Sequence, residues 1–156
     1  MLQNFNKLIE NFSPSSRVWY YLADRTFDET ESDYIQNRLD EFVNDSWKSH
    51  GAKLSATGIL LNNQLIALSV DDSSLGASGC SIDSSVKFIK ELGAELKIDF
   101  FNRMYVLVSN GDETLRVHIS DLSNYKYWNM INPIVTNVQD IQDNGVILVS
   151  ESELAK

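Results

Sequence analysis

Arg17-Val18-Trp19-Tyr20-Tyr21-Leu22-Ala23 is aromatic and β-branched along its length and apolar on both of the faces a strand presents. Two arrangements produce that pattern. The segment is a central strand covered on both sides, or a strand covered once with aromatic rings on its open face. Either way it needs a partner layer, and the residues that follow supply one. Thr26 with Glu29, and Asp28 with Glu31, form two overlapping capping patterns. Ile35, Leu39, Phe42 and Val43 then mark one face of a helix expected near 28–44.

Working outward, residues 53–61 alternate Leu54, Ala56, Gly58 and Leu60 against Lys53, Ser55 and Thr57, the period of a strand. Asn62-Asn63 is a two-residue hairpin turn, since Asn tolerates positive φ, and Leu65 to Val70 is the returning strand. A helix at about 84–96 turns Val86, Ile89, Leu92 and Leu96 inward. Met104 to Val108 and Leu115 to Ile119 flank the turn Asn110-Gly111-Asp112. The order β-α-β-β-α-β-β predicts an α+β fold with a ferredoxin-like split βαβ core, its helices on one face of an antiparallel sheet. Upstream, Leu2, Phe5, Leu8, Ile9 and Phe12 give a short amphipathic helix over 2–12, closed by Ser13-Pro14-Ser15-Ser16. Downstream, residues 120–156 read as an irregular extension. In it, Tyr125, Tyr127 and Trp128 pack, Gln139–Asp143 form a turn of helix, Val146–Val149 form a last strand, and Glu151–Lys156 fray. One domain over 1–156 is expected, with 1–15 as its N-terminal helix and linker.

Composition narrows the function classes. Twenty-two acidic against 13 basic residues give a net charge of −9. Such a surface repels phosphates at long range and argues against nucleic acid or anionic membrane as a partner. The single cysteine, Cys80, excludes an internal disulfide. Met1–Phe12 lacks the apolar core of a signal peptide, and no apolar run approaches the ~18 residues that span a bilayer. A cytoplasmic location is the expectation.

The chemically suggestive stretch is Asp71 to Ser85, dense in small hydrogen-bonding residues between a predicted strand and a predicted helix. Gly76 and Gly79 permit close backbone approach of a ligand. Ser78, Ser81 and Asp83 offer hydrogen bonds or a cap, with Ser81 or Asp83 expected at the N-cap. A helix start favours an anion and lowers the pKa of a nearby thiol such as Cys80. Equally, the stretch is a capped, tight turn with Cys80 as a small buried residue. His50, in Trp47-Lys48-Ser49-His50-Gly51, is the candidate general base for Cys80, oriented by Asp71 or Asp72. As a structural alternative, Trp47 packs over the core, His50 caps carbonyls and Gly51 ends the first helix. Arg103, flanked by apolar residues, either pairs with Asp83 or Asp99 or grips a carboxylate or phosphate. Arg17 and Arg25 pose the same choice.

Several motifs are absent. No Gly precedes Lys-Ser or Lys-Thr, so there is no Walker loop, and no G-x-G-x-x-G occurs. Gly79-Cys80-Ser81-Ile82-Asp83 departs from the G-x-S-x-G nucleophile elbow at its last position. One cysteine and two distant histidines make no thiolate zinc site. Asp71, Asp72 and Asp83 are weak ligands for a hard cation. No metal or cofactor is expected.

Together, Val18-Trp19-Tyr20-Tyr21, Trp47-Lys48-Ser49-His50-Gly51, Gly76-Ala77-Ser78-Gly79-Cys80-Ser81-Ile82-Asp83 and Phe100-Phe101-Asn102-Arg103 resemble a small family of Bacteroidetes-type bacteria. That family carries the label "ABC transporter ATPase". The likeness covers about residues 15–108 and implies ATP hydrolysis, for which the motifs above supply no phosphate loop. The residues themselves leave three expectations. The first is a cytosolic binding or interaction domain, associating with a protein or with itself as a homodimer through a sheet or helix. The second is a small thiol enzyme using Cys80 and His50. The third is a protein that holds a small anion or nucleotide through the 76–85 loop and Arg103.

Overall fold

The computed structural model describes residues 5–49, 51–72 and 76–156. It is a mixed α and β architecture. α1 (Asn6–Asn11) leads into β1 (Arg17–Leu22), then α2 (Glu29–Glu41). The Asp28 cap prevails over the Thr26 one: the Asp28 carboxylate accepts from Glu31 N–H, and Glu31 reaches back to Asp28 N–H. α2 relaxes into a π turn over Phe42–Ser46 and ends at Trp47 in extended geometry. Gly51 therefore does not end the helix. It turns the short hairpin of β2 (Lys48–Ser49) and β3 (Ala52–Lys53) with φ 79°.

β4 (Ala56–Leu61) and β5 (Leu65–Val70) follow as the expected hairpin. Asn62 and Asn63 both take positive φ, 51° and 57°. Leu61 pairs with Leu65, so the loop runs to Gln64 and is one residue longer than the two-residue turn expected. β1 pairs antiparallel with β5, giving a three-stranded sheet in the order β1-β5-β4.

α3 begins at Gly79 and runs to Leu96, five residues earlier than the expected start at 84. Ser78, not Ser81 or Asp83, is its N-cap. The Ser78 hydroxyl accepts from Ser81 N–H at 3.2 Å, while the Ser81 hydroxyl accepts from Ser78 N–H at 2.6 Å. A serine thus takes the place usually held by Glu or Gln in the reciprocal cap. At the other end Gly93 is required. A Cβ there would lie 2.6 Å from the Ile98 carbonyl oxygen, which marks the point where the departing chain crosses the helix.

Both faces of β1 are covered, as in the first of the two arrangements its sequence allows, but β1 is an edge strand of its sheet and not a central one. Trp19 and Tyr21 face α2 and α3, in a core with Leu39, Trp47, Phe88, Ile89 and Leu92. Val18 and Tyr20 face the other way, with Ile59, Leu61 and Leu65 of the same sheet. This second apolar face explains where the chain goes next. β6 (Tyr105–Ser109) does not line up beside β1 as a fourth strand of the first sheet. It joins β7 (Thr114–His118), β8 (Asn129–Ile131) and β9 (Val146–Leu148) in a separate antiparallel sheet of order β7-β6-β8-β9. That sheet lays Leu107 and Ile131 over the exposed apolar face of the first. The outer edge of β1 is closed differently. Val18 N–H donates to the Thr136 carbonyl at 3.0 Å, and Val138 N–H donates to the Ser16 carbonyl at 2.9 Å.

Residues 120–156 are accordingly more ordered than an irregular extension. They contribute β8, which the sequence pattern does not reveal, as well as β9 and α4 (Val138–Asn144). The terminal segment forms 3₁₀ turns, with Ser152 buried. Among the described residues, no helix is long and apolar enough to cross a membrane.

Candidate functional site

The stretch expected to carry chemistry is largely the first turn of a helix. Gly76 and Gly79 lie at ordinary φ, and no neighbour comes closer than 4.0 Å to a Cβ built on either, so neither position needs a glycine. Ser78 and Ser81 are occupied with each other as the cap, and Ser81 is fully buried. The Ser81 carbonyl accepts from Trp47 Nε1 at 2.7 Å, which pins the start of α3 to the π turn after α2. Asp83 is exposed.

Cys80 is exposed too, in contrast to the small buried residue of one reading. No hydrogen bond reaches its sulfur among the described residues. Its carbonyl accepts from the Ser84 hydroxyl at 2.9 Å. His50, the candidate base, lies outside the described residues. The acids expected to orient it have other work. Asp72 accepts from the hydroxyls of Ser13 and Ser15, the latter at 2.8 Å, and Ser16 donates to Asp71 at 3.3 Å. These hydrogen bonds hold the Asp72 carboxyl below its ordinary pKa, Ser13 contributing most. They tie the turn before β1 to the end of β5. Among the described residues, no three His, Cys, Asp or Glu side chains gather as a metal site.

Arg103 is placed differently from either sequence expectation. It pairs with neither Asp83 nor Asp99. Its Nη1 donates to the Tyr20 carbonyl at 3.0 Å, and its guanidinium lies 5.7 Å from the centre of the Tyr21 ring. Arg103 thus occupies part of the β1 edge, and it stands at the mouth of a cavity between the two sheets.

That cavity, of about 50 Å³, has apolar walls: Leu22 and Leu65 from the first sheet, Leu107 and Ile131 from the second. Tyr20, Asn102, Arg103 and Tyr105 are its polar lining residues. Tyr20 is 8% exposed, and its hydroxyl has no hydrogen-bond partner among the described residues. Burial alone pushes that hydroxyl far above the ordinary tyrosine pKa, so it stays a protonated donor. An unmet buried hydroxyl costs about 1–3 kcal/mol, a cost that Tyr20 bears where it sits. Tyr105 is itself held on two sides. The Arg116 guanidinium lies 3.5 Å from its ring centre, and the His118 ring meets it edge-on at 5.1 Å.

Of the expected site residues that are described, Arg103 lines this cavity and Gly76, Ser78, Gly79, Cys80, Ser81 and Asp83 do not. Tyr20 was legible only as a strand aromatic. Its missing partner depends on β6 and β8 arriving over it, from more than 80 residues away. The chain matches no family model, no curated protein and no solved structure, so the geometry carries the functional argument.

Proposed function

We propose that the protein is a non-enzymatic binding domain of the cytosol whose ligand site is the cavity between its two sheets. The observation that carries this is the cavity itself, apolar in most of its lining, with Tyr20, Asn102, Arg103 and Tyr105 as its polar lining residues. Apolar walls with few convergent polar groups are the usual make-up of a small-molecule site. The segment Arg17–Leu96, β-α-β-β-α, is in this reading a ferredoxin-like unit that has given its fourth strand to a neighbouring sheet to roof that site. Kinship with the family named above is a proposal as well, and it brings no nucleotide hydrolysis with it.

The test is a thermal melt of the wild type and of Leu22→Phe, which fills the cavity. Each is measured against neutral and acidic molecules of four to six heavy atoms. At least one of them raises the wild-type midpoint and leaves Leu22→Phe unmoved, as binding to the native state requires. If no member separates the two proteins, the cavity is not a ligand site.

A further inference from the structure

Asparagine followed by glycine occurs twice in the chain, at Asn110-Gly111 and at Asn144-Gly145. The pair is chemically special. The peptide nitrogen after an asparagine can attack that residue's side-chain amide carbon, and glycine puts no side chain in the way. The structure treats the two pairs oppositely. Asn144 closes α4, and Gly145 follows it in helical geometry, with φ −65° and ψ −35°. Gly145 N–H donates to the Ile141 carbonyl at 2.9 Å. Asn132 donates to both carbonyls of the pair, to Asn144 at 3.1 Å and to Gly145 at 2.9 Å. The nitrogen that would attack is thus bound at a helix end, in a buried residue.

Asn110-Gly111 lies in the exposed turn between β6 and β7, with Gly111 at φ 98°. The Asn110 side-chain oxygen Oδ1 accepts from Asp112 N–H at 2.9 Å and from Glu113 N–H at 2.8 Å, which folds the side chain back over the turn. No hydrogen bond engages its Nδ2 among the described residues. Gly111 N–H donates to the Ser109 hydroxyl at 3.2 Å. Two preset donors on a carbonyl oxygen are the arrangement that stabilises a tetrahedral oxyanion. We infer that Asn110 is a site of self-catalysed deamidation. The Gly111 nitrogen loses its proton to water by way of the Ser109 hydroxyl and bonds to Asn110 Cγ. The charge that develops on Oδ1 is met by the two N–H groups. The Cγ–Nδ2 bond then breaks, and Nδ2 leaves as ammonia with a proton from water, which closes a succinimide ring. Water opens that ring at either carbonyl and gives aspartate or isoaspartate at position 110. The net reaction consumes one water, releases one ammonia and needs no oxidant or reductant.

The test follows conversion at each asparagine by peptide mass spectrometry, with enzymatic methylation to detect isoaspartate, at mildly alkaline pH. Asn110 and Asn144 are each measured in the native protein and in guanidinium chloride. Native Asn110 converts about tenfold faster than unfolded Asn110, the effect of one hydrogen bond that tightens on the developing oxyanion. Native Asn144 converts at least about tenfold slower than unfolded Asn144, because its helix end must open first. Ser109→Ala lowers the native Asn110 rate and leaves the unfolded rate unchanged. Conversion of native Asn110 at or below its unfolded rate would overturn the inference and show that the turn protects the residue. Equal rates at the two asparagines of the native protein would overturn it as well.

Discussion

The two faces of the first sheet are built to different standards. On the helix-covered side the aromatic rings interlock. Phe42 and Phe88 stack at 4.4 Å, Phe42 and Trp47 at 5.1 Å, and the one indole N–H buried there has a carbonyl at 2.7 Å. On the side facing the second sheet, Tyr20 meets Phe5 at 6.1 Å and a cavity of about 50 Å³, and its hydroxyl has no hydrogen-bond partner among the described residues. Both faces belong to the same strands, so backbone geometry does not explain the difference. One face is optimised for packing, and the other keeps a vacancy and an unmet donor. The well-packed face and the cavity are thereby separated by about the thickness of one sheet.

Mutations on the two faces should therefore act in opposite directions. Trp47→Ala removes a fully buried ring and strands the Ser81 carbonyl. It should cost about 3–5 kcal/mol, read as a lower urea midpoint, because cavity and lost hydrogen bond add. Tyr20→Phe removes a hydroxyl that has no hydrogen-bond partner among the described residues. It should leave stability unchanged or raise it by about 1 kcal/mol. A loss above that size would show that the hydroxyl is satisfied in the native protein, and the contrast between the faces would collapse.

Two pH effects sharpen the same contrast. Burial raises the pKa values of both Tyr20 and Tyr21, with the Ser85 hydrogen bond and Arg103 partly offsetting the rise at Tyr21. An acid raised in the folded state contributes stability that is complete below the unfolded value and is lost as pH rises from there through the folded value. A spectrophotometric titration should thus leave two of the six tyrosines un-ionised above pH ~10 until the chain unfolds. The smallest effect lies on the outer surface. Glu31 is lowered to about 2, mainly by its hydrogen bond with Arg25 and then by the Asp28 backbone. Its folded value is depressed, so its contribution is present above about pH 4.5 and drains as pH falls towards about 2. Glu31→Gln should flatten that part of the profile of urea midpoint against pH.

How far the sequence reveals this depends on the range of the interaction. Local signals located β1, a cap near residue 28 and a turn at Asn62-Asn63, but they did not choose Asp28 over Thr26 or show that the loop takes in Gln64. The start of α3 misled because a serine at position 81 does the work expected of Glu, a substitution that capping patterns do not anticipate. β8 is three residues long, Asn129–Ile131, too short to show alternation, and is held by its neighbours β6 and β9. The placement of β6 was half legible. The two-sided apolar pattern of β1 called for a second cover, but nothing local says which segment provides it. The site followed the same rule. Arg103 drew notice as a charge among apolar residues, whereas the Tyr20 hydroxyl becomes informative only once the second sheet lies over it.

The most direct test of the account places both faces in one experiment. Methyl resonances are followed while neutral and acidic molecules of four to six heavy atoms are titrated into the wild-type protein. The account predicts saturable shifts at Leu22, Leu65, Leu107 and Ile131 on the intersheet side, with Leu39, Ile89 and Leu92 under the helices unmoved. Shifts at the helix-side methyls with none at the intersheet ones would contradict it.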